Sequence, residues 1–133
     1  MQRIRERAQF NAVLAGRPVA STPHFALHLS ARENHLALFP VEGTWLGVLL
    51  PKRWAKRAVT RNALRRQIYA VSQSLSDSLP RAAMVVRLRS GFSRDSFHSA
   101  SSEALKQAAR AELLQLFDRL AARMQPTDAL RHD

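Results

Sequence analysis

Hydrophobic residues along this chain fall into seven segments, and their spacing predicts three helices and four strands. The first helix is predicted over residues 4–15, where Phe10 and Val13 recur at helical spacing before a Gly and a Pro. Two longer helices are predicted over about residues 58–76 and 102–124, each with one apolar face.

The strands are indicated by alternating or continuous hydrophobic residues. They are predicted over residues 24–30, 35–40, 45–51 and 82–89. In the first strand Phe25, Leu27 and Leu29 share one face because side chains alternate along a strand. His28 lies on the opposite face, which we expect to be exposed. Residues 45–51 are apolar on both faces, as in a central strand.

The order of these elements, αβββαβα, predicts the fold class. It is typical of a single α+β domain in which helices cover one four-stranded sheet. The length of 133 residues fits one domain, which we expect to span residues 1–125. Pro126 ends the last helix, and residues 126–133 are expected to form a flexible tail.

The composition adds a strong positive charge to this picture. The formal net charge is +11 and the sequence contains no Cys. Such a charge indicates an anionic partner, which could be a nucleic acid, a membrane surface or an acidic protein. The charged N-terminal residues do not resemble a signal peptide, and the absence of Cys fits a reducing compartment, so we expect a cytoplasmic protein.

The charge is concentrated in residues 52–71, KRWAKRAVTRNALRRQIYAV. No acidic residue occurs between Glu42 and Asp77. The seven cations of this segment are Lys52, Arg53, Lys56, Arg57, Arg61, Arg65 and Arg66. A merely solvated helix face usually mixes the two signs of charge, so this segment is predicted to bind a polyanion.

A helical projection separates this segment into two faces. The apolar stripe consists of Leu64, Ile68, Val71 and Leu75. Beside it, an arc of about 140° holds Arg61, Asn62, Arg65, Arg66 and Tyr69. Arg and Asn side chains can bond phosphates, ribose hydroxyls and base edges, and Tyr69 could stack on a base.

Candidate catalytic and metal-binding residues are few. His24 and His28 are four residues apart, which on a strand is about 13 Å, too far to share an ion. The acidic residues are scattered singly, and no nucleophile motif or Gly-rich phosphate loop is present. We therefore expect no active site and no metal site in this chain.

The segment LLPKRWAKRAVTRNALRRQIYAV resembles the signature of the bacterial ribonuclease P protein component. In that family two basic residues close a strand, and an Ala precedes Arg-Asn-Arg-x-Lys-Arg at the start of a helix. The matching residues are Lys52, Arg53, Ala58, Arg61, Asn62, Arg65 and Arg66. Ala63 departs from the pattern, because it replaces the third, basic residue of the Arg-Asn-Arg triplet.

The flanking segments are similar to the family as well. In AQFNAVLAGRPV, Phe10 matches the first aromatic residue of the family's first helix and Leu14 replaces the second. FALHL is similar to the first strand, with His28 at an often aromatic position that faces a cleft. MVVRLRSGF is similar to the last strand and the loop after it, and the αβββαβα order agrees.

The resemblance implies a left-handed βαβ crossover through the basic helix and a function in tRNA processing. A member of this family is the accessory subunit of an endoribonuclease that removes the 5′ leader from precursor tRNA. The RNA subunit carries the catalysis with bound Mg²⁺, and the protein holds no cofactor tightly. The implied partners are the ribonuclease P RNA and the precursor tRNA leader, with neither DNA nor a membrane among them.

The resemblance also implies two groups of site residues. RNA-subunit binding is predicted for Lys52, Arg53, Lys56, Arg57, Arg61, Asn62, Arg65 and Arg66. Leader binding in a cleft is predicted for Phe10, His28 and Tyr69. For Phe10 the alternative is simple core packing, since it shares helical spacing with Val13 and Leu14.

Three other functions would also use a basic helix. A ribosomal or other structural RNA-binding protein would show no preference for precursor tRNA over mature tRNA. A DNA-binding protein would insert the helix into the major groove and prefer duplex DNA. Membrane-surface binding ranks last, because the narrow apolar stripe is needed for packing on the sheet.

Overall fold

The computed structural model describes residues 1–92 and 103–124, which form one sheet and three α-helices. The strands are β1 (Gln2–Arg3), β2 (Ala20–Ser21), β3 (Phe25–Ser30), β4 (Trp45–Leu49) and β5 (Ala83–Leu88). The α-helices are α1 (Arg7–Leu14), α2 (Ala58–Ser74) and α3 (Glu103–Met124), and short 3₁₀ turns cover Arg32–His35 and Ser76–Ser78. The predicted tail lies outside the described residues.

The sheet has the strand order β1-β4-β5-β3-β2. β5 is central: it pairs antiparallel with β3 over six residues and parallel with β4 over five. Because β4 and β5 are parallel neighbours, the chain must cross from one end of the sheet to the other between them, and α2 forms this crossover. The left-handedness of the crossover stays a prediction.

The larger core lies between the sheet and the pair α2 and α3. Its sheet residues are Phe25, Leu27, Leu46, Val48, Met84, Val86 and Leu88, and its helix residues include Leu64, Ile68, Val71, Leu105, Leu113, Leu116 and Leu120. All are buried, so burial of this one face explains why the long, strongly periodic segments fold as predicted.

The opposite face of the sheet, the α1 face, carries a smaller core of Ile4, Val13, Phe39, Trp45, Ala83 and Val85. Gln9 ties α1 into this layer: its Oε1 accepts hydrogen bonds from the backbone N–H groups of Arg5 and Glu6 at 3.0 and 3.1 Å. Its Nε2 donates to the carbonyl of Leu38 at 2.9 Å. These bonds place the start of α1 against residues 38–39.

The prediction of a strand over residues 35–40 is wrong. This segment contains the end of the 3₁₀ turn and a further turn, in which the N–H groups of Leu38 and Phe39 bond the carbonyl of His35. The Arg32 guanidinium donates hydrogen bonds to the carbonyls of Phe39 and Pro40, at 2.7 and 3.0 Å. The backbone groups of this segment therefore form local hydrogen bonds within turns and do not pair with another strand.

The sheet has five strands instead of the predicted four because β1 and β2 replace that segment. Each has two residues, which is too short to show alternation. The first helix begins at Arg7 and not at residue 4, because Ile4 continues along β4 with its N–H bonded to the carbonyl of Leu46 at 2.8 Å.

Close contact between α1 and the sheet depends on Gly47. A Cβ at this position would lie 2.7 Å from Phe10 Cε1 and 2.9 Å from Ile4 Cβ. Gly47 thus makes room for the Phe10 ring directly on the central part of the sheet.

Gly47→Ala should therefore destabilise the protein by about 1–3 kcal/mol, the usual cost of overpacking. Urea unfolding would measure the change. Gly16→Ala is the matched control, because a Cβ at Gly16 meets no atom within 4 Å. An equal effect of both substitutions would contradict the packing argument.

Candidate nucleic-acid interface

The apolar stripe of α2 faces the sheet, as the sequence predicts. Leu64, Ile68 and Val71 are buried, and Leu75 packs at the edge of the same core. α2 also packs against α3. Because this stripe is narrow and fixed on two sides, the cationic arc beside it faces outward.

The basic surface comprises the eight residues predicted to bind the RNA subunit. They are Lys52, Arg53, Lys56, Arg57, Arg61, Asn62, Arg65 and Arg66. Arg61 and Arg65 are half-buried and the other six are exposed. The structure therefore brings the turn before α2 and the first two turns of α2 together as one surface.

Arg61 has a structural role within this surface. Its Nη1 donates to the carbonyls of Ala55 and Lys56, both at 2.9 Å. The backbone of Gly91 also lies close to this turn, since a Cβ at Gly91 would lie 2.7 Å from the Trp54 carbonyl oxygen. The turn that carries Lys52, Arg53 and Lys56 is thus stabilised by the two bonds from Arg61 and by the backbone bonds of Trp54 and Ala55 to the Pro51 carbonyl.

Carboxylates do not neutralise this surface. Within residues 1–92 and 103–124, the ion pairs are His24–Glu112 and Lys106–Glu103, and neither includes a residue of the basic surface. Arg65 Nη1 instead donates to the amide oxygen of Asn62 at 3.0 Å. Unpaired cations held on one surface match the phosphates of a nucleic acid.

Ala63, the departure from the family pattern, is only 2% exposed. It lies on the buried side of α2, next to Leu64. The loss of a basic residue there consequently leaves no gap in the exposed basic surface.

Tyr69 does not lie with the other two predicted leader-binding residues. It packs against the larger core, on the α2 side of the sheet, and the Arg3 guanidinium covers its ring with Cζ 4.0 Å from the centroid. Arg3 was not predicted, because it reaches α2 from the two-residue edge strand β1. Pairing of Arg3 with Leu46 directs its side chain to that side.

Phe10 and His28 both lie on the α1 face. Phe10 is half-buried beside the smaller core, so it packs as the alternative interpretation requires and is still partly exposed. His28 is only 5% exposed, so the prediction that it is exposed is wrong. The turn after α1 covers it, and its Nδ1 lies 3.0 Å from the Gly16 carbonyl.

His28 is held as a neutral ring. Burial lowers its pKa, the nearby charge of Arg87 lowers it further, and the bond to Gly16 opposes them. The carbonyl of Gly16 requires a proton on Nδ1, which leaves Nε2 as the acceptor for the Nε–H of Arg87 at 3.4 Å.

Neither a candidate metal site nor a membrane-spanning helix occurs in the described part of the chain. Among those residues, no group of three or more His, Cys, Asp or Glu side chains could hold a metal ion. None of the helices there combines the length and the apolar character that a bilayer crossing requires.

Comparison with known proteins identifies a family. A family model described as Ribonuclease P matches residues 1–119. The ribonuclease P protein component of Bordetella parapertussis is 37% identical over 119 residues, which cover 90% of this chain and 91% of the relative. That of Ralstonia pickettii is 33% identical over 116 residues, covering 87% and 76%.

Solved structures show the same fold at lower identity. The RNase P protein of Staphylococcus aureus superposes with a TM-score of 0.67 at 15% identity, over 89% of this chain and 94% of that one. The RNase P protein from Thermotoga maritima gives a TM-score of 0.60 at 17% identity, over 94% and 99%.

The bonds of Arg61 predict a difference between two arginines of the basic surface. Arg61→Ala should lower the free energy of unfolding by about 1–2 kcal/mol, because two carbonyls lose their donor. Arg66→Ala, at an exposed position, should stay within about 0.5 kcal/mol of wild type. Urea unfolding of both variants tests this, and equal stabilities would show that Arg61 does not hold the turn.

The lowered pKa of His28 predicts a pH dependence of stability. In the unfolded chain His28 titrates near 6.5, so the unfolded state binds more protons below that pH and the contribution of neutral His28 is lost on acidification. The stability difference between wild type and His28→Gln should shrink from pH 7.5 to pH 5. A difference that is constant over this range would contradict the neutral state.

Proposed function

This chain belongs to the ribonuclease P protein family, and we propose that it is the protein subunit of a holoenzyme that removes the 5′ leader from precursor tRNA. The observation that carries the proposal is the acid-free basic surface on α2, in a chain that matches the family model over residues 1–119. The holoenzyme combines this subunit with an RNA subunit in the cytoplasm.

Within this proposal the basic surface binds the RNA subunit. Its cations are presented by a helix that packs on the sheet and on α3 and by the turn before it, so little backbone ordering is needed on binding. Arg65 and Arg66 contact phosphates, while Arg61 mainly keeps the preceding turn in place. Catalysis belongs to the RNA subunit and the Mg²⁺ that it binds, and the protein contributes affinity and position.

The leader lies on the α1 face. Phe10 offers the exposed part of its ring for stacking, which is how single-stranded RNA is held without sequence preference. The α1 face and the basic surface belong to different sides of the sheet, so one protein can contact the RNA subunit and the leader at the same time. Tyr69, beside Arg3, lies nearer to the RNA-subunit contacts than to the leader.

The family match argues against the alternative of a ribosomal or other structural RNA-binding protein. The alternatives of duplex DNA and of a membrane surface would use the same cations. They give no role to a partly exposed aromatic residue on the opposite face of the sheet.

Reconstitution with a bacterial ribonuclease P RNA tests the function. At low Mg²⁺, added protein should stimulate cleavage of precursor tRNA at the leader junction. Failure to stimulate, with the RNA alone active at high Mg²⁺, would contradict the proposal.

The affinity for the RNA subunit should depend steeply on salt. If about five cations of the basic surface meet phosphates, log affinity falls with log salt at a slope of about −3.5 to −4.5. The double variant Arg65→Gln/Arg66→Gln should make that slope about 1.4–1.8 less steep. Arg110→Gln/Arg123→Gln removes the same charge from exposed positions on α3 and is the matched control, so an equal change would mean that only net charge matters.

A further inference from the structure

Arg87 lies in the middle of the sheet. It belongs to the central strand β5, where its Cα pairs with Ala26 of β3 and Leu49 of β4. These neighbours are small or apolar, and all three side chains point to the α1 face. Arg87 itself is half-buried, so part of this residue remains accessible to solvent on the α1 face.

No carboxylate balances this cation in the described part of the chain. Of the ion pairs formed by residues 1–92 and 103–124, none includes Arg87. A charged group held in a partly buried position without a counter-charge has a cost in folding free energy. An apolar residue would fit this strand better, so packing alone does not explain an arginine here.

His28 determines how the guanidinium is held. Because the Gly16 carbonyl keeps the proton on Nδ1, Nε2 can accept the Nε–H of Arg87. The guanidinium is planar and carries five N–H groups. With Nε held by His28, the four N–H groups of the two terminal nitrogens remain, and their fork matches the oxygens of a phosphate.

The position of Phe10 indicates what kind of phosphate ligand this guanidinium could bind. Phe10 lies over Gly47, and Leu49 is the next residue of β4 on the same face. Leu49 pairs with Arg87 across the ladder. Phe10 and the guanidinium of Arg87, which no described carboxylate neutralises, are therefore near neighbours on the α1 face. An aromatic ring beside a cation is the arrangement that holds single-stranded nucleic acid.

We propose that Arg87 binds a backbone phosphate of the single-stranded leader on the α1 face, and that His28 is the positioning residue that directs its guanidinium. This inference rests on the proposed function. It also changes the role of His28, which acts through Arg87 and does not stack on a base.

The experiment measures the affinity of the reconstituted holoenzyme for a precursor tRNA and for the same tRNA without a leader. Arg87→Gln should weaken binding of the precursor roughly tenfold, as expected for one charge-assisted contact. It should leave the leaderless tRNA unchanged and make the salt slope for the precursor about 0.7 less steep. Arg110→Gln, which removes an exposed charge from α3, should change neither substrate.

A double-mutant cycle tests the positioning role. His28→Phe should weaken precursor binding in wild type and have no further effect when combined with Arg87→Gln, because its effect passes through Arg87. His28→Gln should retain most of the affinity, since its amide oxygen can accept the Nε–H of Arg87 and its NH₂ group can donate to the Gly16 carbonyl. Thermal melting verifies that each variant folds, and if His28→Phe does not fold, His28→Ala takes its place in the cycle.

Each outcome has one meaning. Equal losses on both substrates for Arg87→Gln, or no loss beyond that of Arg110→Gln, would overturn the role of Arg87. Additive effects in the double variant, or a His28→Gln variant as weak as Arg87→Gln, would overturn the role of His28. A wild-type protein that does not stimulate cleavage would contradict the proposed function itself, which keeps the two failures distinguishable.

Discussion

The parallel pairing of β4 with β5 is the constraint on which the rest of this structure depends. Two parallel neighbours cannot be joined by a hairpin, so the chain must return along the sheet before it enters β5. α2 makes that return, and its buried stripe of Leu64, Ile68 and Val71 fixes its rotation about its own axis. The basic surface is therefore oriented by the core of the protein, and its direction does not depend on a mobile loop.

Electrostatics works against this arrangement, and the structure compensates locally. Cations on one surface repel one another, and no carboxylate of the described residues relieves them on α2. Arg61 is held by two carbonyls, Arg65 by the amide oxygen of Asn62, and Arg3 by the ring of Tyr69. Neutral acceptors and a π face hold these side chains without cancelling their charge, which leaves the charge available to a phosphate.

How well the helices and strands could be predicted from the sequence depends on the length of each segment. α2, α3, β3 and β5 are long, periodic segments, and their predicted bounds differ from the observed ones by one or two residues. β1 and β2 have two residues each, and pairing with distant strands forms them, so no local pattern could show them. The basic surface follows from charge and helical spacing, but the second role of Arg61 depends on the path of the preceding turn.

The α1 face shows the limit of strand alternation as a guide. Alternation assigns His28 to the face opposite Phe25, but whether that face is covered depends on where α1 and the turn after it pack. Arg87 stands out in the sequence, since it is the one charged residue in AMVVRL. Its contact with His28 on the neighbouring strand could not be predicted, because it depends on the register between β3 and β5.

His28 and Arg87 support one another in a way that neither position reveals alone. An imidazole can accept the Nε–H of Arg87 only when it is neutral, because a protonated ring offers two donors and no acceptor. Burial and the adjacent positive charge both lower the pKa of His28 and so maintain the neutral form. The charge of Arg87 thus helps to keep His28 neutral, and neutral His28 accepts the hydrogen bond that positions Arg87. A phenylalanine at position 28 could cover the same surface but would offer no ring nitrogen to that Nε–H. The pairing of the buried His28 with Arg87, which no carboxylate of the described residues neutralises, therefore depends on both side chains together.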